Sequence, residues 1–455
     1  MLEHSPAIGA YVLSIIAMLI MARNRRATGP INIIFMFLAV GEFLGVFVRF
    51  LLIMSGTDLV FGPTGDYFPD SRLIDRSLLY LALFNATFTA GALFVQWPTR
   101  VIARKMNYTR VETGEEKPSG SKWILRILLV LSGPGLLLTL KSIASGNTLI
   151  ANSQLENSRV SVAGEGPSIM LIEMPFVNLL LWYSYRRGQV GRLWWLSLVG
   201  LLGTSLVTGN RTKMVTISLI LLALVIQHKG YKVLYRQLPI FAFIGTIVFY
   251  IGYMISFVRG SLVRQGGTFL YWAKQALLSN PADIFNQIYR SSFNGYDGFL
   301  SVINRVPDEM GHKVGHFWFE SLTILIPRIV WKSKWDLPIT NIFTFEVWGW
   351  SKGGIFVTGP GVMYLDSGVM GIGLGGLALG MISMAGLMLL DRYLREHRWV
   401  YGFCVASMCY FLARFSFAGG SNDVVLVQRL LLESLVVGAI VRWMDKKQLL
   451  RAKSE

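Results

Sequence analysis

Eleven apolar stretches divide this chain, and they leave few folds open to it. They fall at roughly 7–22, 31–54, 76–97, 123–145, 169–185, 193–209, 212–228, 238–258, 367–390, 399–417 and 425–442. About 20 predominantly apolar residues carry an α-helix across about 30 Å of hydrocarbon. Only a helix or a closed barrel satisfies its own backbone there. Charged residues make up 15% of the 455, against about 25% in a typical soluble protein. The reading is an all-α polytopic membrane protein with about 11 transmembrane helices in one integral membrane domain spanning 1–455. The first and fifth stretches are short, and the pair meeting at Thr208 and Gly209 has almost no connection. No removable signal is expected, because the first apolar run begins soon after Met1 and no Lys or Arg precedes it.

Orientation comes from the basic residues. Of the 43 Lys and Arg, 23 fall in alternate short connections or in the C-terminal tail, from Arg23, Arg25 and Arg26 through Arg392, Arg395 and Arg398 to Lys453. Cytoplasmic loops carry such an excess, so the N-terminus is expected outside and the C-terminus in the cytoplasm. The net charge of +17 is then largely membrane anchoring and gives no reason to expect nucleic acid. Cys404 and Cys409 lie inside an apolar span and read as buried apolar side chains.

The longest polar segment, 259–356, then lies outside. Pro281 to Val306 alternates loosely, Phe317 to Trp331 is apolar with Pro327 placed to kink or end it, and Ile339 to Trp350 suits a short helix capped by Thr340 or Asn341. These are too short or too polar to span and suit interfacial or re-entrant helices. Six of the 13 Trp residues fall here, as the headgroup region favours.

A charge near mid-membrane costs about 2.5–3.5 kcal/mol on insertion scales. Glu42, Arg49, Lys141, Glu173, Arg211, Lys213, Arg414, Arg429 and Glu433 fall within or at the edges of apolar stretches. The spacing of seven between Glu42 and Arg49 predicts a shared helix face, and that of four between Arg429 and Glu433 permits a pair. Interhelical salt bridges account for the acids. The cations instead gather at the outer side of the predicted topology, beneath a loop with ten more, including Arg290, Arg328 and Lys334. Arginine's planar fork matches phosphate oxygens. A membrane-embedded polyanion reached from outside is most simply a lipid-linked phosphate or pyrophosphate.

Five short motifs recur in order. Thr208-Gly209-Asn210-Arg211 opens a span. Arg290-Ser-Ser-Phe293-Asn-Gly-Tyr296-Asp297 lies in the long loop, followed by Ile326-Pro327-Arg328-Ile-Val-Trp331-Lys332 and then Phe343-Thr344-Phe345-Glu346-Val347. Leu412-Ala413-Arg414 and Arg429 close the series. Together these resemble the Wzy-type oligosaccharide repeat-unit polymerases of O-antigen, capsule and enterobacterial common antigen synthesis. The resemblance runs from about 200 to 440; the first 190 residues match only as apolar spans. Lys332-Ser333-Lys334-Trp335 departs from the family, where Pro follows the Trp.

The resemblance implies a GT-C-like glycosyltransferase of the bacterial inner membrane that works from the periplasmic side without a metal. It implies block transfer of a growing glycan from undecaprenyl pyrophosphate to a new lipid-linked unit, with a chain-length regulator and a flippase as further partners. Such chemistry needs positive charge at the departing pyrophosphate, for which Arg211, Lys213, Arg290, Arg328, Arg414 and Arg429 are the candidates. The acceptor hydroxyl needs a base; Asp297 is preferred and Glu346 is the alternative. Tyr296, Trp348 and Trp350 are candidates to stack on sugars. His312 and His316, four apart, also fit a metal pair without an evident acidic or Cys partner, and His316 fits the base of the related O-antigen ligases. An O-antigen ligase and a lipid-linked oligosaccharide flippase are the alternative functions. No phosphate-binding Gly-x-x-x-x-Gly-Lys-Ser/Thr and no Gly-x-Ser-x-Gly occurs, so ATP-driven transport and serine hydrolysis lack support.

Overall fold

Apolar runs in which the backbone must bond to itself become helices, and helices make up this structure. It is a computed structural model that describes residues 5–23, 29–56, 60, 67–105, 121–145, 167–207, 211–236, scattered positions from 239 to 261, 268–280, 295–323, 331, 339–349, 357–394, 397–418 and 421–454. Among them no strand occurs, only an antiparallel bridge between Val60 and Tyr67. The helices are α1 (Ser5–Arg23), α2 (Gly29–Glu42), α3 (Val48–Met54), α4 (Ser71–Lys105), α5 (Ser121–Ala144), α6 (Pro167–Tyr185), α7 (Arg192–Val207) and α8 (Arg211–Lys229). They continue with α9 (Tyr231–Arg236), α10 (Phe269–Leu278), α11 (Gly295–Arg305), α12 (His316–Thr323), α13 (Ile339–Trp348), α14 (Gly359–Tyr393), α15 (Arg398–Ala418) and α16 (Ser421–Ser454).

Among the described residues, four helical stretches are long and apolar enough to cross a membrane: Ile33–Met54, Ser71–Gln96, Lys122–Ala144 and Gly359–Asp391. Large apolar side chains point outward from them and their neighbours; Val130 and Leu193 are 74% and 80% exposed. Such faces suit lipid rather than water.

Two compact units divide the chain. The first comprises Met1–Glu112, Arg290–Tyr393 and Met408–Gln428, and the second Thr113–Tyr289, Leu394–Ser407 and Arg429–Glu455. In the first, α4 packs along α14. Tyr80 stacks on Tyr364, Phe84 and Thr87 approach Gly376, and Phe88 approaches Gly380, so the two helices run parallel. Small residues permit this: a Cβ on Gly91 would strike the Leu377 carbonyl, and one on Gly380 the Phe88 carbonyl. Gly380→Val should therefore cost about 1–3 kcal/mol of stability, as overpacking does. Gly373, whose added Cβ would meet nothing within 4 Å, should accept Ala without loss. Thermal midpoints of the two variants in detergent check this.

Helices α2 and α3 are joined by a π-helical turn, Phe43–Phe47. The wider turn changes the phase of the helix. Glu42 meets Tyr11 of α1, whereas Arg49 meets Asp297 of α11. Seven residues bring two positions to about 20° only in an unbroken α-helix, so the π-helical turn alters what the spacing of Glu42 and Arg49 implies.

In α14 the expected span starts eight residues late. The helix begins at Gly359 and breaks at Ser367 and Gly368, where Gly368 takes φ of 64°. Asp366 accepts from the backbone N–H groups of Gly315 (3.1 Å) and Phe317 (2.8 Å), and the Lys313 N–H donates to the Leu365 carbonyl. The break thus holds the start of α12. Thr340 and Asn341, expected as caps, sit inside α13, which starts at Ile339.

In the second unit α5 and α6 pack antiparallel across their prolines. Pro134 and Pro175 each leave a carbonyl four residues back without its helical donor. Gly135 makes room for Leu171 and Pro175, and Asn178 donates to the Leu128 carbonyl (3.0 Å) and to Ser132 Oγ (2.9 Å). Cys404 and Cys409 are buried, as their apolar setting suggests.

Candidate functional site

The first turn of α11 carries Gly295, Tyr296 and Asp297. An acid there faces the positive end of the helix dipole. Its two carboxylate oxygens accept from one guanidinium: Arg49 Nε donates to Oδ1 and Nη2 to Oδ2, each at 2.8 Å. The side chains are 1% and 3% exposed. This fork-to-carboxylate geometry is the strongest form of ion pair. The sequence placed Arg49 among the outer-side cations read as a polyanion pocket, and did not foresee its pairing with Asp297.

Tyr296 is fully buried, and its hydroxyl lies 2.7 Å from Ser77 Oγ of α4. Ser77 Oγ also lies 2.7 Å from the Ile74 carbonyl, and either hydroxyl can donate in the Tyr296–Ser77 bond. Burial pushes the Tyr296 phenol well above its ordinary range; the bond to Ser77 opposes this and the Asp297 charge adds to it. Tyr67 flanks the same acid. Burial and the Asp297 charge raise its phenol to about 12, against a pull from Arg305. Both tyrosines stay neutral hydrogen-bonding groups at physiological pH.

Tyr296 is therefore closed off in this structure, where its ring presents no exposed face. Trp348 is closed too, at 7% exposure, with its indole N–H donating to Ser301 Oγ at 3.2 Å. Asp297 likewise presents no open oxygen face to an acceptor, since it is 2% exposed and held by Arg49. Glu346 is different: its side chain is 39% exposed and meets Lys313 Nζ at 3.0 Å.

Arg414, near the end of α15, is partly buried, and its Nη1 donates to the Tyr410 hydroxyl at 3.2 Å. The next residue, Phe415, packs on Phe317 and closes over Gly359. The Thr358 N–H donates to the Gly295 carbonyl. Through these contacts Arg49, Asp297 and Arg414 lie towards one end of the first unit, and the bond from Trp348 to Ser301 holds α13, which carries Glu346, against α11.

Comparison with family models, with curated proteins and with solved structures finds no match to this chain.

In the second unit Arg429 reaches Glu173 at 3.5 Å, a pairing that differs from the expected i,i+4 contact with Glu433. Arg211 and Lys213 sit in the first turn of α8. Arg290, Arg328, Lys334 and Trp350 lie outside the described residues. His312 packs edge-on against Tyr364, and His316 is buried at the start of α12. Among the described residues no group of three or more His, Cys, Asp or Glu is placed to hold a metal.

Proposed function

We propose that this chain is a membrane glycosyltransferase that polymerises lipid-linked oligosaccharide repeat units. In this reading eleven helices span the inner membrane in a GT-C-like arrangement, and the end carrying Arg49, Asp297, Glu346 and Arg414 faces outward. The observation that supports it best is that shared end. Motif residues 117 apart in sequence, Asp297 and Arg414, come from a loop helix and a span to the same end of one unit.

The chemistry follows from the residue types. The bond from the anomeric carbon to the carrier pyrophosphate breaks as a bond to the acceptor hydroxyl oxygen forms. Charge develops on the departing phosphate oxygens, and Arg414 with the loop arginines Arg290 and Arg328 supplies donors there. The acceptor proton goes to a carboxylate. Glu346 takes this role because it is the candidate acid that an acceptor reaches from solvent.

Purified protein incubated with one synthetic lipid-pyrophosphate repeat unit tests the reading. A ladder of products is the expected result. Product only when lipid A core is supplied identifies a ligase. Transfer across a proteoliposome without any new glycosidic bond identifies a flippase.

A further inference from the structure

Three successive residues at the start of α11 are each tied to a different element. The Gly295 carbonyl takes the Thr358 N–H just before α14, the Tyr296 hydroxyl reaches Ser77 of α4, and the Asp297 carboxylate grips Arg49 of α3. Two of the three ties are side-chain contacts buried from solvent. An ordinary loop helix is held by its apolar face alone. This one is fixed in rotation and in position at its first turn, and α11 buries every residue from Gly295 to Ile303. The π-helical turn before Arg49 sets the direction in which the guanidinium leaves α3.

We propose that Arg49 is a positioning residue: it sets the first turn of α11 through Asp297, which serves as a fixed counter-ion and not as the base. The activity part of this proposal rests on the glycosyltransferase reading; the structural part does not. Removing one member of a buried pair leaves the other's charge less well compensated in a low dielectric, whereas neutralising both relieves that imbalance. Arg49→Gln and Asp297→Asn then behave as two halves of one unit.

The test is a double-mutant cycle on the full chain in detergent, with the thermal midpoint read from tryptophan fluorescence and turnover read from the ladder assay below every midpoint. Each single variant is expected to lower the midpoint by about 5 °C or more and turnover about tenfold, and the double variant to recover most of both. A double variant that melts no higher than the worse single overturns the anchor. A double variant that regains its midpoint while turnover stays about a hundredfold down shows that the Asp297 carboxylate acts chemically, and overturns the counter-ion role. Arg49→Lys keeps the charge and loses the fork, so it serves if Arg49→Gln does not accumulate. Its midpoint is expected between wild type and the single variants; a wild-type midpoint overturns the anchor. If the wild-type protein makes no ladder, the glycosyltransferase reading fails, while the midpoints still decide whether the pair holds α11.

Discussion

Arg414→Ala leaves the protein inserted and removes long-chain product, with turnover falling about 10²–10³-fold, the loss seen when one preorganised donor to a developing oxyanion is deleted. The side chain is set for such a role. On its own helix Phe411 packs against Phe415, and Phe415 packs on Phe317 and Phe84, so the guanidinium starts from a rigid base. Tyr410, one turn earlier and 1% exposed, accepts from Nη1 and fixes the plane of the fork. Arg414→Lys keeps the charge but not the planar donors and should recover only part of the rate. Tyr410→Phe should cost less than Arg414→Ala, because the charge remains and only its orientation loosens. Arg290→Ala, in the loop motif, is expected to match Arg414→Ala. The measurement is the length distribution of lipid-linked product beside quantified membrane insertion. Normal chain length in Arg414→Ala and Arg290→Ala would remove the arginines from the chemistry.

Glu346→Gln is the second large effect expected, a loss of about 10²–10⁴-fold in turnover with the fold intact, as for a deleted general base. The ion pair with Lys313 supplies the control. Both partners are more than a third exposed, and such a surface pair contributes only about 0–1 kcal/mol. Lys313→Ala should therefore leave the thermal midpoint nearly unchanged and turnover within severalfold. If the role of Glu346 were the ion pair itself, the two substitutions would act alike. Steady-state turnover of both variants separates the cases, and equal small losses would return the base to another group. Glu346→Asp, which keeps the carboxylate but shortens its reach, should fall between.

Much of the helical architecture was legible in the sequence, because a run of apolar residues in lipid has one backbone solution. The stretches 31–54 and 123–145 lie close to helical spans of the structure for that reason. What could not be read was which helix meets which. Arg49 and Asp297 are 248 residues apart, and no periodicity reports a contact at that distance. The π-helical turn left no sign, since Phe43–Phe47 reads as ordinary apolar helix. Asp366 escaped as a single acid at the edge of an apolar run, although Asp-Ser-Gly before such a run is the wording of a helix start. The preference for Asp297 over Glu346 as base came from spacing to an arginine in sequence. Burial, which sequence does not report, encloses Asp297 and leaves Glu346 exposed, and the proposed function takes Glu346 for that reason.

The parallel pairing of α4 with α14 bears on how the chain is made. Residues Met106 to Thr358 separate the two helices. At about 5–20 residues per second, α4 leaves the ribosome on the order of 10–50 s before its partner exists. During that interval its glycine-notched face, with Gly91 open, has only lipid or another span to rest against. Synthesis halted before α14 therefore delivers a first unit without its central contact, and such fragments are natural targets for membrane quality-control proteases.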